Sequence, residues 1–187
     1  IVSYRGDLLG HQREKLISLA KRLLNHNLNG STDQADQIMI KKVNDYIDND
    51  IISSEVSKIF YDHPVPIALS AELKKKNSYK ATKAIDTPLL ITRDEDGVVR
   101  TFINICKHRG APVCPEGRGE KSKFNCTYHG WMYDNKGSLI NIFKSNTFGD
   151  IDTKNIKLTE LFCEEKSGFI WACLNPVSYT HLRAHET

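Results

Sequence analysis

Nowhere in the chain is there a run of the roughly 18 apolar residues that a membrane helix needs. No apolar stretch behind basic residues marks a secretory leader. Charge of one sign is missing too: 26 Lys and Arg against 23 Asp and Glu leave +3, and Lys74-Lys75-Lys76 is the densest basic run, so the footprint of a nucleic-acid binder is absent. Five cysteines, an odd number without an export signal, make a disulfide framework a poor explanation and point to ligand or core thiols. There is no internal repeat and no low-complexity segment. Methionine is scarce, occurring only at Met39 and Met132, and the chain starts at Ile1, so a fragment whose natural start lies upstream is expected. What remains is 187 residues, 40% hydrophobic and 26% charged, enough for one core with appendages. A cytoplasmic location is expected.

Helical periodicity dominates the first third. Leu16, Leu19, Ala20, Leu23 and Leu24 recur at helical spacing over residues 11–29, and Asn29-Gly30 is a plausible stop. Ser31-Thr32-Asp33-Gln34 reads as a capping box, with Met39, Val43, Tyr46 and Ile47 as the buried stripe of a second helix. A third short helix is expected over residues 54–61, closed by His63-Pro64-Val65-Pro66.

Beyond Pro66 the period changes to that of strands. Residues 78–85, 88–92 and 98–105 alternate around an Asp94-Glu95-Asp96-Gly97 turn. Residues 131–133 and 138–142 flank an Asp134-Asn135-Lys136-Gly137 turn, and residues 158–165 and 169–174 form a last hairpin around Lys166-Ser167-Gly168. Residues 145–155 read as a polar surface loop. The fold class expected is mainly β, a small antiparallel sandwich or barrel, preceded by α-helices.

Within the β region lie Cys106-Lys107-His108 and Cys126-Thr127-Tyr128-His129, each offering one thiol and one imidazole. Two thiolates and two imidazoles make one four-ligand site, suited either to tetrahedral zinc or to a [2Fe–2S] cluster in which two His replace two Cys on one iron. A zinc finger usually keeps each pair homogeneous. Mixed pairs on two loops instead let both sulfurs meet one iron and both nitrogens the other. Cys114, Cys163 and Cys173 read as core thiols. Trp131 and Tyr128 read first as packing around His129 and otherwise as the edge of an electron-transfer surface. His26 and His63 read as ordinary histidines.

Cys106-Lys-His-Arg-Gly110, Gly119-Glu120, and Cys126-Thr-Tyr-His-Gly-Trp131 with Tyr133-Asp134 resemble the Rieske family, and more narrowly the Rieske domain of ring-hydroxylating oxygenase large subunits. The likeness runs over about residues 60–176. It implies a Rieske-type antiparallel β fold in which Cys106 and Cys126 bind one iron of a [2Fe–2S] cluster while His108 and His129 bind the other. Imidazoles in place of thiolates remove negative charge and raise the potential into the range of about −150 to +300 mV. The respiratory members resemble C-T-H-x-G-C with C-P-C-H-G-S, whereas Ala111, Tyr128 and Trp131 stand here at the two disulfide positions and the serine position. The low end of that range is therefore expected.

The resemblance further implies that electrons arrive from a ferredoxin or flavin reductase and pass to a mononuclear Fe(II) in a catalytic domain absent from this chain. A homotrimeric or α3β3 parent is implied, with an aromatic or related substrate. The expected division is a helical segment over residues 1–62, the cluster domain over 63–176 and an adaptor-like, non-native tail over 177–187. His181 and His185 belong to that tail. A stand-alone Rieske ferredoxin is the second reading, and a structural zinc module the third.

Overall fold

The computed structural model describes residues 4–176; the tail with His181 and His185 lies outside the described residues. The chain divides between Val43 and Asn44 into two compact units. In the first, helix α1 spans Tyr4–Asn29. Gly30 ends it in the left-handed region, and the Ser31 amide donates to the His26 carbonyl.

The second helix expected after the Ser31 capping box does not form. Its capping residues are used differently: Ser31 Oγ and Asp33 Oδ1 lie 3.0 and 2.8 Å from the two ring nitrogens of His26, closing the end of α1. Residues 31–43 are irregular, and Met39 and Val43 are exposed. Helix follows only at α2, Asn44–Ile47, and α3, Asn49–Glu55, where Asp48 Oδ1 accepts from the Asp50 and Ile51 amides. One π turn, Val56–Phe60, continues α3 and ends before the prolines. Among the described residues no helix is long and apolar enough to cross a membrane.

The rest of the second unit is antiparallel sheet. In chain order its strands are β1 Val65–Leu69, β2 Ser78–Ala84, β3 Thr87–Arg93, β4 Val99–Ile103, β5 Gly117–Glu120, β6 Lys123–Asn125, β7 Trp131–Asp134, β8 Leu139–Ile142, β9 Glu160–Leu161, β10 Cys163–Lys166 and β11 Phe169–Ala172. They form a five-stranded sheet β5-β2-β3-β4-β9 and two three-stranded sheets, β1-β11-β10 and β6-β7-β8. The predominantly β architecture with helices before it is the one expected.

Strand β3 shows why three sheets are needed. Leu89, Leu90 and Ile91 are all fully buried, so this central strand is covered on both faces and reads as a continuous apolar run. Leu90 and Phe102 enter one core with Phe124, Trp131, Tyr133 and Leu139; Leu89 and Ile91 enter another with Leu161, Ile170 and Ala172. Truncating such a side chain to alanine costs about 2–5 kcal/mol. The thiols of Cys106 and Cys126 belong to the first core.

The stretch read as one strand over residues 158–165 is two. Glu160 and Leu161 pair with β4, and after Phe162 the chain changes sheets, with Cys163 to Lys166 pairing with β11. Two turns of the same construction hold the strands in register. Asp94 Oδ1 accepts from the amides of Asp96 and Val98, and Asp134 Oδ1 from those of Lys136 and Ser138.

Candidate metal centre

Each pair of candidate ligands sits in a loop closed by the same two backbone hydrogen bonds. In the first loop, between β4 and β5, the Cys106 amide donates to the Ala111 carbonyl over 2.8 Å and the Gly110 amide to the Cys106 carbonyl over 3.0 Å. In the second, between β6 and β7, the Cys126 amide donates to the Trp131 carbonyl and the Gly130 amide to the Cys126 carbonyl, both over 2.9 Å. Gly110 and Gly130, with φ of 76° and 69°, turn the chain where an L side chain is strained. At Gly130 a Cβ would also lie 2.5 Å from Phe143 Cβ, so that position admits glycine alone.

The loops thus fold as near duplicates, with each cysteine at the root and each histidine further out. Cys106 and Cys126 are 3% and 2% exposed, and the two thiols lie near enough for Cys106 to influence the titration of Cys126. His108 and His129 are half-buried, with ring centroids 4.6 Å apart and planes inclined at 70°. All four residues read from the sequence are therefore brought together, as a buried sulfur pair beneath a more accessible imidazole pair. Among the described residues no three His, Cys, Asp or Glu side chains surround a single point; the donors come as two pairs.

Burial pushes the Cys126 thiol up, as does the neighbouring Cys106. Burial, followed by the charges of His129 and Arg109, holds His108 below the ordinary imidazole value. That direction favours the neutral imidazole, the form that binds a metal, while the raised Cys126 thiol calls for a metal to hold it as a thiolate.

Around this core sit Tyr133, Asn104 and Phe148, for which the sequence suggested no individual role, together with Trp131 and Tyr128, which it read as packing around His129. The Tyr133 hydroxyl accepts the Lys107 amide over 3.1 Å and lies 3.4 Å from Cys106 Sγ. Buried Asn104 pins the far side of the first loop: its Oδ1 accepts from the Val113 and Cys114 amides over 3.2 and 3.0 Å, and its Nδ2 donates to the Cys114 carbonyl. Phe148, within the stretch read as polar loop, packs its edge on His108 at 5.2 Å; its only sequence signal is being the one aromatic there. Trp131 is buried and lies parallel to His108, centroids 5.1 Å apart and planes within 6°. Tyr128 leans on His129 at 4.0 Å and is 59% exposed.

The other thiols are bystanders. Cys114 and Cys173 are buried, Cys163 donates to the Val99 carbonyl, and every cysteine is free. His26 is bound to Ser31 and Asp33, far along the chain from the loops.

A family model for the Rieske [2Fe–2S] domain matches residues 63–155, spanning both loops and the sheet between them. Residues 63–155 are a Rieske [2Fe–2S] domain. Its cofactor is the [2Fe–2S] cluster of that family. The chain is similar to the anthranilate 1,2-dioxygenase large subunit of Burkholderia cepacia, 37% identical over 113 residues, covering 57% of this chain and 27% of that one. It is also similar to the methanesulfonate monooxygenase hydroxylase subunit alpha of Methylosulfonomonas methylovora, 33% identical over 147 residues, covering 71% and 36%. Among solved structures, the quaternary ammonium Rieske monooxygenase CntA matches with a TM-score of 0.65 and 29% identity, covering 72% of this chain and 38% of that one. The Rieske domain and its flanks thus span between about a quarter and two fifths of these relatives.

Proposed function

We propose that this Rieske domain is the electron-transfer part of a ring-hydroxylating oxygenase alpha subunit, with Cys106 and Cys126 holding one iron and His108 and His129 the other. The observation that carries the assignment is the duplicated loop: a buried cysteine at the root of each, and two imidazoles with ring centroids 4.6 Å apart. Two thiolates on one iron and two neutral nitrogens on the other suit a Rieske centre, and the depressed pKa of His108 favours that form.

When bound, the [2Fe–2S] group takes up and releases single electrons. The chain does the rest. The apolar core around Cys106 and Cys126 excludes water from the sulfur side, and the Tyr133 hydroxyl donates toward Cys106 Sγ. Trp131 and Phe148 fix the plane of His108. The second ring nitrogen of each half-buried imidazole remains able to carry a proton.

In the parent enzyme, on this reading, a ferredoxin or flavin reductase delivers electrons in the cytoplasm. They pass to a mononuclear Fe(II) of a catalytic domain that this chain does not include, for O2-dependent hydroxylation of an aromatic or related substrate. The helical segment over 1–62, the cluster domain over 63–176 and a non-native tail over 177–187 make up the proposed division, within a homotrimer or α3β3 assembly. The oxygenase names of the relatives support this over a stand-alone ferredoxin.

Ligand substitution tests the assignment. Cys106→Ser or Cys126→Ser removes the cluster, because metal binding and folding of these loops are coupled. His129→Cys keeps a cluster and lowers its potential, since a thiolate adds negative charge. A potential unchanged in His129→Cys would overturn the ligand set.

A further inference from the structure

Between β8 and β9 the chain runs as a strap past the first ligand loop. It leaves the sheet after Phe143, whose amide donates to the Gly130 carbonyl over 3.2 Å. It is secured again at Ile156, whose carbonyl accepts the Leu139 amide over 3.0 Å. Between these anchors its hydrogen bonds are its own. The Thr147 amide and hydroxyl donate to the Lys144 carbonyl, and the Phe148 amide donates to the Ser145 carbonyl. Asp152 accepts from the Lys154 amide and the Asn155 side chain. Among the described residues, the hydrogen bonds and ion pairs include none from residues 144–155 to the sheets or to either ligand loop.

What holds the strap down is apolar. Phe148 and Ile151 pack on the core that contains Cys106 and Cys126. Phe148 alone of the two reaches a ligand ring: its centroid lies 5.2 Å from that of His108 and 6.0 Å from that of Trp131, with planes inclined at 75° and 69°. Trp131 lies parallel to the imidazole, so the ring of His108 is enclosed by one aromatic from its own core and one from the strap. Directly after Phe148 the chain turns at Gly149, with φ of 69° and nothing within 4 Å of a Cβ built there. A segment tied to its unit by so few contacts opens at lower cost than the sheets beside it.

We propose that Phe148 is a positioning residue for the redox centre: it latches residues 144–155 over His108, and release of the latch admits water to the imidazole side. The inference rests on the cluster reading above and extends it to what sets the potential and lifetime of the centre. Two ferric ions with two sulfides and two thiolates carry no net charge; one added electron leaves a single negative charge. Water solvates the anion better than the neutral form, so a closed strap holds the potential down and an open one raises it.

The test uses the holoprotein and three variants. Phe148→Ala should raise the cluster midpoint, deepen the deuterium modulation in the pulsed electron paramagnetic resonance of the reduced protein in D2O, and speed iron release to a chelator. The last effect should be about tenfold, the size of two lost aromatic contacts. Gly149→Ala removes no core side chain and strains only the turn, so it should shift all three readouts in the same direction even where Phe148→Ala assembles no cluster. Phe148→Tyr keeps the ring and should match the unaltered protein. A midpoint and modulation unchanged in Gly149→Ala, a midpoint lowered in Phe148→Ala, or Phe148→Tyr behaving as Phe148→Ala does, would overturn the latch while leaving the cluster in place. An unaltered protein with no Rieske spectrum would instead overturn the cluster reading itself.

Discussion

The hydroxyl of Tyr133 lies 3.4 Å from the sulfur of Cys106, at the buried end of β7. It also accepts the Lys107 amide, so its own hydrogen is free to point at the sulfur. Burial and the neighbouring sulfur push the phenol well above its ordinary value, which keeps that hydrogen in place.

Removing the bond should therefore lower the cluster potential. A hydrogen bond to a reduced, more negative cluster is stronger than to the oxidised one. If the difference is about 1 kcal/mol, Tyr133→Phe lowers the midpoint by roughly 40 mV. Redox titration in the visible checks this, and an unchanged or raised midpoint would contradict the role.

The two loop glycines should differ in tolerance although their backbone angles are alike. Nothing lies within 4 Å of a Cβ built at Gly110, so Gly110→Ala meets only left-handed strain of about 1 kcal/mol. Gly130→Ala adds a clash with Phe143 and should cost about 2–4 kcal/mol in total. Thermal unfolding of the two variants compares them directly; equal losses would show that the second loop yields freely.

Asn104 acts as a strut for the first loop. Asn104→Ala leaves the Val113 and Cys114 amides and the Cys114 carbonyl without their partner in the core, a loss of about 2–4 kcal/mol. Cluster content per chain should fall with stability. Full occupancy at normal stability would mean that the loop is held by Pro88 and the backbone alone.

Acid should weaken the β unit through two carboxylates. The Lys80 ammonium holds Glu72 below its usual value, and the Arg93 guanidinium does the same for Glu165. Both pKa values are depressed in the folded chain, so their contribution is present above about pH 4.5 and is lost as pH falls through the lower folded values. Melting temperature should drop as pH falls below about 4.5, and Glu165→Gln should flatten that drop. A slope unchanged in Glu165→Gln would assign acid sensitivity elsewhere.

How much of this was legible beforehand follows from what each residue type can announce. Strands β3 and β4 with their Asp-Gly turn, and β7 and β8 with theirs, were readable because alternation and turn chemistry are local. Strands β5 and β6 were not: Gly-Arg-Gly-Glu and Lys-Phe-Asn carry no alternation, and they are strands only because β2 and β7 lie beside them. The four ligands could be read from spacing and residue type, whereas Tyr133, Asn104 and Phe148 could not. Their roles depend on which loop the fold brings to them, and an Asn or a Tyr in a strand has many uses. The second helix failed for a related reason, since Ser31 and Asp33 fit an N-cap but also fit the ring of His26, and the folded chain uses the latter.

The most direct test of the central claim is the metal content of residues 1–176 purified under argon, with an electron paramagnetic resonance spectrum after reduction by dithionite. The account predicts two irons and two acid-labile sulfides per chain and a rhombic signal of a cluster with two nitrogen ligands. Stoichiometric zinc, no sulfide and a silent spectrum would contradict it and leave the duplicated loops as a structural module.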